Sequence, residues 1–159
     1  MEDRIYINIL IDTLEKKSSL LDGLLEHTLL QEQYIAQSPL DFEKFEGIID
    51  VKSVLIEKLN QLDSGFEQLY GRVNDDLKNK KYEYKEEILQ LQSLVKKITE
   101  KSTKLQALEQ RNKSKVELYL TNSKKQIREY NVNSKTASNY YKSMSNQVDG
   151  QAHFFDKKK

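Results

Sequence analysis

The sequence predicts an all-α protein: an elongated antiparallel three-helix bundle of coiled-coil character, with a long third helix and a weakly ordered C-terminal tail. Three observations point there. Apolar residues recur at spacings of three and four along three long segments, which is the period of a buried helix face. One Pro and five Gly in 159 residues are too few for a sandwich or barrel, which needs a turn signal roughly every 8 to 12 residues. The mixture of 37% hydrophobic and 32% charged residues is that of amphipathic helices. The size fits one domain, read as a helical bundle over 1–130 followed by a polar tail over 131–159.

The first helix is expected over about 4–36. Leu10, Leu14, Leu21, Leu24 and Ile35 form one stripe, widened by Leu20, Leu25, Leu29 and Leu30, with Glu15, Lys16, Asp22 and Glu26 on other faces. Ile5, Ile7, Ile9 and Ile11 alternate as a strand would, but no second strand is evident to pair with them. Ser38-Pro39 then reads as a hairpin turn, because proline disfavours helical geometry in the residue before it. Asp41 is a candidate N-cap for the next helix, with Lys44 rather than Glu at the capping-box position.

The second helix, about 41–77, carries the clearest period. Phe45, Ile48, Lys52, Leu55, Leu59, Leu62, Phe66, Leu69, Val73 and Leu77 make a heptad-like seam of about five heptads. Lys52 is the odd member. The simpler reading is a lysine whose stem lies along the seam while its head reaches water; the other is a buried group fixing register against a carboxylate such as Glu32. Gly65 and Gly71 are tolerated within the helix or used for close packing.

The third helix is expected over about 84–130, with Ile88, Leu91, Val95, Ile98, Leu105, Leu108, Val116, Tyr119, Leu120, Ile127 and Tyr130 as its stripe. The run EQRNKSK at 109–115 leaves that stripe without apolar residues for seven positions. Helices of these lengths would reach roughly 50 to 70 Å at 1.5 Å per residue. In the tail, Ala137, Tyr140, Tyr141, Met144 and Val148 share a helical face, so a short amphipathic helix is expected over 137–148, ended by Gly150.

Charge divides the chain. Residues 1–77 hold 7 Lys/Arg against 16 Asp/Glu, and residues 78–159 hold 19 against 9. The favoured reading is that the two halves face each other; the alternative is an acidic partner for the basic half.

Catalysis finds no support. His27 and His153 lie far apart with no HExxH around either, and His27 reads as an ordinary helix-surface residue. Adjacent carboxylates such as Glu86-Glu87 point about 100° apart on a helix. There is no cysteine, no phosphate-binding glycine loop and no GxSxG elbow, so no cofactor or metal is expected. The acidic Glu2 and Asp3 do not suit a secretory signal, and no apolar run approaches the roughly 20 residues of a membrane span. A cytoplasmic protein is the expectation.

LLDGLLEHTLLQEQYIAQ, the Ser38-Pro39 break and DFEKFEGIIDVKSVLIEKLNQL resemble the flagellar export chaperone family FlgN. There a leucine-rich first helix ends near a glutamate, matched by Glu32, and the second carries a lysine followed by leucines, matched by Lys52, Leu55 and Leu59. The similarity covers about residues 14–73. It implies an elongated helical protein of the bacterial cytoplasm that binds hook-filament junction subunits before export, with the export apparatus as a further partner. It also implies that the C-terminal part holds the helical termini of the cargo. Here that part offers Val116, Tyr119, Leu120, Ile127 and Tyr130 on the late third helix, and Tyr140, Tyr141 and Met144 in the tail.

Two other functions compete. A structural or tethering coiled coil would use its exposed stripe to make a homodimer. Nucleic-acid binding would use Arg111, Lys113, Lys115, Lys124, Lys125 and Arg128, but these are interleaved with Glu117 and Glu129 and follow no recognition motif, so no nucleic acid is expected.

Overall fold

The computed structural model describes residues 2–37, 41–119, 136–137 and 139–140. Three helices carry the fold: α1 (Glu2–Ile35), α2 (Phe42–Asn79) and α3 (Lys85–Tyr119). At 34, 38 and 35 residues they are roughly 50 to 57 Å long. The alternating isoleucines at the start belong to α1, where Ile7 and Ile11 are buried one turn apart and Ile5 and Ile9 face outward.

Asp41 caps α2 as expected. Its backbone is extended (φ −85°, ψ 97°) and its carboxylate accepts the backbone N–H of Lys44 at 3.2 Å, satisfying one of the donors that a helix start leaves open. The other end of α2 passes through the polar 74–79 stretch and stops at Lys80, whose N–H bonds Asp76 O at 2.8 Å. Ser38 and Pro39, read as the hairpin turn, lie outside the described residues.

Partner numbering gives the directions. Pairs between α1 and α3 rise together, from Arg4 with Glu87 through Ser18 with Lys101 to Thr28 with Asn112, so these helices run parallel. Between α1 and α2 the numbers run oppositely, Lys17 with Asp63 and Gln31 with Lys52. The chain therefore runs up, down and up. α1 packs closely along both neighbours, whereas α2 and α3 approach each other less closely.

The core follows a three-four rhythm on every helix. On α1 the buried positions include Ile7, Leu10, Leu14, Lys17, Leu21, Leu24, Thr28, Gln31 and Ile35. On α2 they include Phe45, Ile48, Lys52, Leu59, Phe66, Val73 and Leu77, and on α3 Leu91, Val95, Ile98, Ser102, Leu105, Glu109, Asn112 and Val116. Each fully buried leucine or isoleucine contributes about 1.5 to 3 kcal/mol. The composition of 109–115 predicts a local gap in the core, but the helix continues there and Glu109 and Asn112 occupy the inward positions.

Acidic first-half residues meet basic second-half residues at Asp22–Lys101, Glu32–Arg111 and Glu32–Lys115, while Arg4–Glu87 and Lys52–Glu109 run the other way. Charge complementarity between the halves is thus partial.

Gly65 and Gly71 serve no close packing among the described residues, where a Cβ built at either meets nothing within 4 Å. Replacing each with Ala is expected to raise stability by about 1 kcal/mol, read as a higher urea midpoint with an unchanged slope.

α3 is described to Tyr119; the expected continuation to 130 lies outside the described residues. Of the expected 137–148 helix, Ala137 and Tyr140 are helical, as are Thr136 and Asn139. Tyr141, Met144 and Val148 lie outside the described residues.

Candidate functional site

Two regions of the bundle depart from plain apolar packing. The first is a buried polar layer. Lys52, only 5% exposed, reaches from α2 to Gln31 Oε1 at 2.7 Å and to the carboxylate of Glu109, itself 2% exposed. Thr28 Oγ1 lies 2.7 Å from Leu24 O and 3.2 Å from Glu109 Oε1, and Asn112 Nδ2 donates to Thr28 O at 3.0 Å. Burial pushes the Lys52 ammonium below its ordinary value of 10.5, and the charge and hydrogen bond of Glu109 oppose that shift.

This layer divides the core. On one side lies the main apolar cluster of all three helices, and on the other a small plug of Ile35, Phe45 and Val116. The Lys52 head does not reach water, as the simpler reading had it, but is buried, and the carboxylate it meets is Glu109 rather than Glu32. Glu32 instead takes Arg111 at 2.7 Å and Lys115 at 3.8 Å nearer the surface. Asn112 Oδ1 meets no donor among the described residues, which costs about 1 to 3 kcal/mol. Taking the Lys52 and Glu109 charges out of water offsets much of what their pairing gains, so the layer adds little net stability.

The second region is the C-terminal part of the chain. Val116 is completely buried under Ile35 and Phe45, so it closes the end of the bundle rather than offering an open surface. Just beyond it, at the last turn described, Leu118 is 76% exposed and Tyr119 43% exposed. Sequence reasoning missed Leu118 because it falls off the inward stripe. Tyr140 packs against the main apolar cluster, with Ala137 buried within that cluster. Its hydroxyl donates to Asp63 Oδ2 at 3.1 Å, while Lys17 Nζ donates to Asp63 Oδ1 at 2.5 Å. Leu120, Ile127, Tyr130, Tyr141 and Met144 lie outside the described residues.

Glu109, Asn112, Gln31, Lys17 and Asp63 were not singled out from sequence. Counting on by threes and fours from Leu91, through Ile98 and Ser102 to Val116, would have turned Glu109 and Asn112 inward. No comparable signal marks Asp63.

His27 is half-buried with Nδ1 2.7 Å from Gly23 O, a local contact on its own helix. Among the described residues no three His, Cys, Asp or Glu side chains are gathered as metal ligands, and no helix is long and apolar enough to cross a membrane. The described surface thus carries exposed apolar side chains at the last described turn of α3, and Ala137 and Tyr140 lie against the bundle beside Asp63.

No curated protein and no solved structure matches the chain. A family model described as FlgN protein matches residues 1–147, which covers the bundle and reaches past Tyr140. The chain belongs to the FlgN family, that of the flagellar export chaperones.

Proposed function

We propose that the chain is a cytoplasmic export chaperone that holds hook-filament junction subunits before their secretion. The family match over 1–147 carries this reading. The exposed Leu118 and Tyr119 support it, because exposed apolar side chains at the last described turn of α3 suit an amphipathic cargo helix that docks through anchors at i, i+3, i+4 and i+7. Leu120, Ile127 and Tyr130 continue that face in sequence. Holding such a helix would cover cargo surfaces that otherwise self-associate.

The same exposed side chains favour a second reading, a homodimer that buries them in its own interface. A pull-down from the source bacterium with the full chain as bait separates the two. Junction subunits are expected among the captured proteins, and Ile127→Asp is expected to abolish their capture while leaving the helical circular dichroism and the unfolding midpoint unchanged. Recovery of the chain alone, with a mass near twice 18.7 kDa in solution, would replace the chaperone reading with the self-associating one.

A further inference from the structure

We propose that the seat on the bundle that holds Ala137 and Tyr140 is a docking site for the cargo helix, occupied before cargo arrives by the chain's own C-terminal segment. This rests on the chaperone reading above.

The seat has a built geometry. Ala137, 7% exposed, belongs to the apolar cluster that all three helices share, and Tyr140, one turn on, packs against it. Thr136 and Asn139 face outward. A helix thus lays a small residue and an aromatic one, three apart, onto the bundle, the helix-in-groove mode of recognition. The polar end is equally specific. Asp63 is fixed by Lys17, which is only 3% exposed, and its second oxygen takes the Tyr140 hydroxyl. The acceptor therefore stands ready for any incoming helix that carries a hydroxyl or a cation at that position.

Charge favours the same class of occupant. Residues 1–119 carry 18 Lys/Arg against 22 Asp/Glu, and residues 120–159 carry 8 against 3. The segment in the seat comes from a basic stretch and rests on an acidic bundle, so the occupant is a basic amphipathic helix with a small residue followed three later by tyrosine. Ala137 in the apolar cluster and Tyr140 on Asp63 are the contacts that a cargo helix with larger apolar anchors replaces when it takes the seat.

The chain has no cysteine, so Asn139→Cys accepts a single nitroxide on an outward-facing position of the full-length protein. The free protein is expected to give an immobilised spectrum. An excess of a synthetic peptide of residues 133–148 is expected to convert it to a mobile one. Tyr140→Phe, which removes only the hydroxyl, is expected to raise the ratio of mobile to immobilised label about 2- to 10-fold. A spectrum unmoved by either change overturns the proposal. Purified junction subunit is then added, with calorimetry reporting binding independently. Binding that mobilises the label supports the proposal. Binding that leaves the label immobilised overturns it while the chaperone reading stands. Absence of binding removes the chaperone reading and the cargo helix as occupant, and the peptide result still decides whether the seat is a helix-docking site.

Discussion

Glu109→Leu is expected to lower the unfolding free energy by about 3 to 5 kcal/mol, and all of that loss is expected to return when Lys52→Met is added. The single change leaves the Lys52 ammonium buried with Gln31 Oε1 as its remaining acceptor among the described residues, an uncompensated charge in an apolar surround. The double change removes both charges and their desolvation cost, so the double variant should equal the parent or exceed it by about 1 to 4 kcal/mol. Urea unfolding with linear extrapolation checks both. A single variant within about 0.5 kcal/mol of the parent would mean that Lys52 reaches water when Glu109 is gone.

Alkaline pH gives the same site a second readout. Burial already holds Lys52 below 10.5, and Glu109 opposes the shift, so Glu109→Leu lowers it further. In the window between that lowered value and 10.5, the unfolded chain binds the proton that the native chain has released. Unfolding free energy therefore rises with pH there. The stability contribution is complete above 10.5 and is lost as pH falls through the folded value. The deficit of Glu109→Leu relative to the double variant is expected to shrink as pH is raised toward 10.5, and a constant deficit would place the lost energy elsewhere.

The helices were legible because apolar burial imposes the helical period directly on residue type. The stripe from Leu10 to Leu24, the seam from Phe45 to Leu77 and the run from Leu91 to Leu108 all proved inward-facing or half-buried. Legibility stopped where the seam turns polar. Glu109 and Asn112 sit at inward positions of an unbroken register, but hydropathy reports type and not register, so 109–115 read as a gap. Lys52 drew attention for the same reason, and its partner did not. Which carboxylate stands level with Lys52 depends on how the 80–84 turn sets α3 along α1, and that offset leaves no mark in either helix. Tyr140 with Asp63 is harder still, a contact between residues 77 apart with no shared period. Leu118, 76% exposed, lies off the stripe, and a single leucine outside a helical period leaves no signal in the sequence.

Leu21→Ala is the core substitution with the largest expected effect, about 2 to 5 kcal/mol and toward the upper end of that range. Leu21 is 0% exposed in the middle of α1, and α1 is the helix that packs closely along both neighbours. A cavity there cannot close by moving one helix inward, because α2 is held by Lys17–Asp63 and α3 by Lys101 bonded to Ser18 and Asp22. The lost contacts are then those of two interfaces at once. With a total stability of about 5 to 15 kcal/mol for a domain of this size, such a loss should lower the urea midpoint by a third or more. Leu118→Ala is the matched control: at 76% exposure it removes the same atoms from a surface position and should change the unfolding free energy by less than about 0.5 kcal/mol. Equal losses at the two positions would mean that the end of α3 is covered in solution, which is what a homodimer through that face requires and a chaperone awaiting cargo does not.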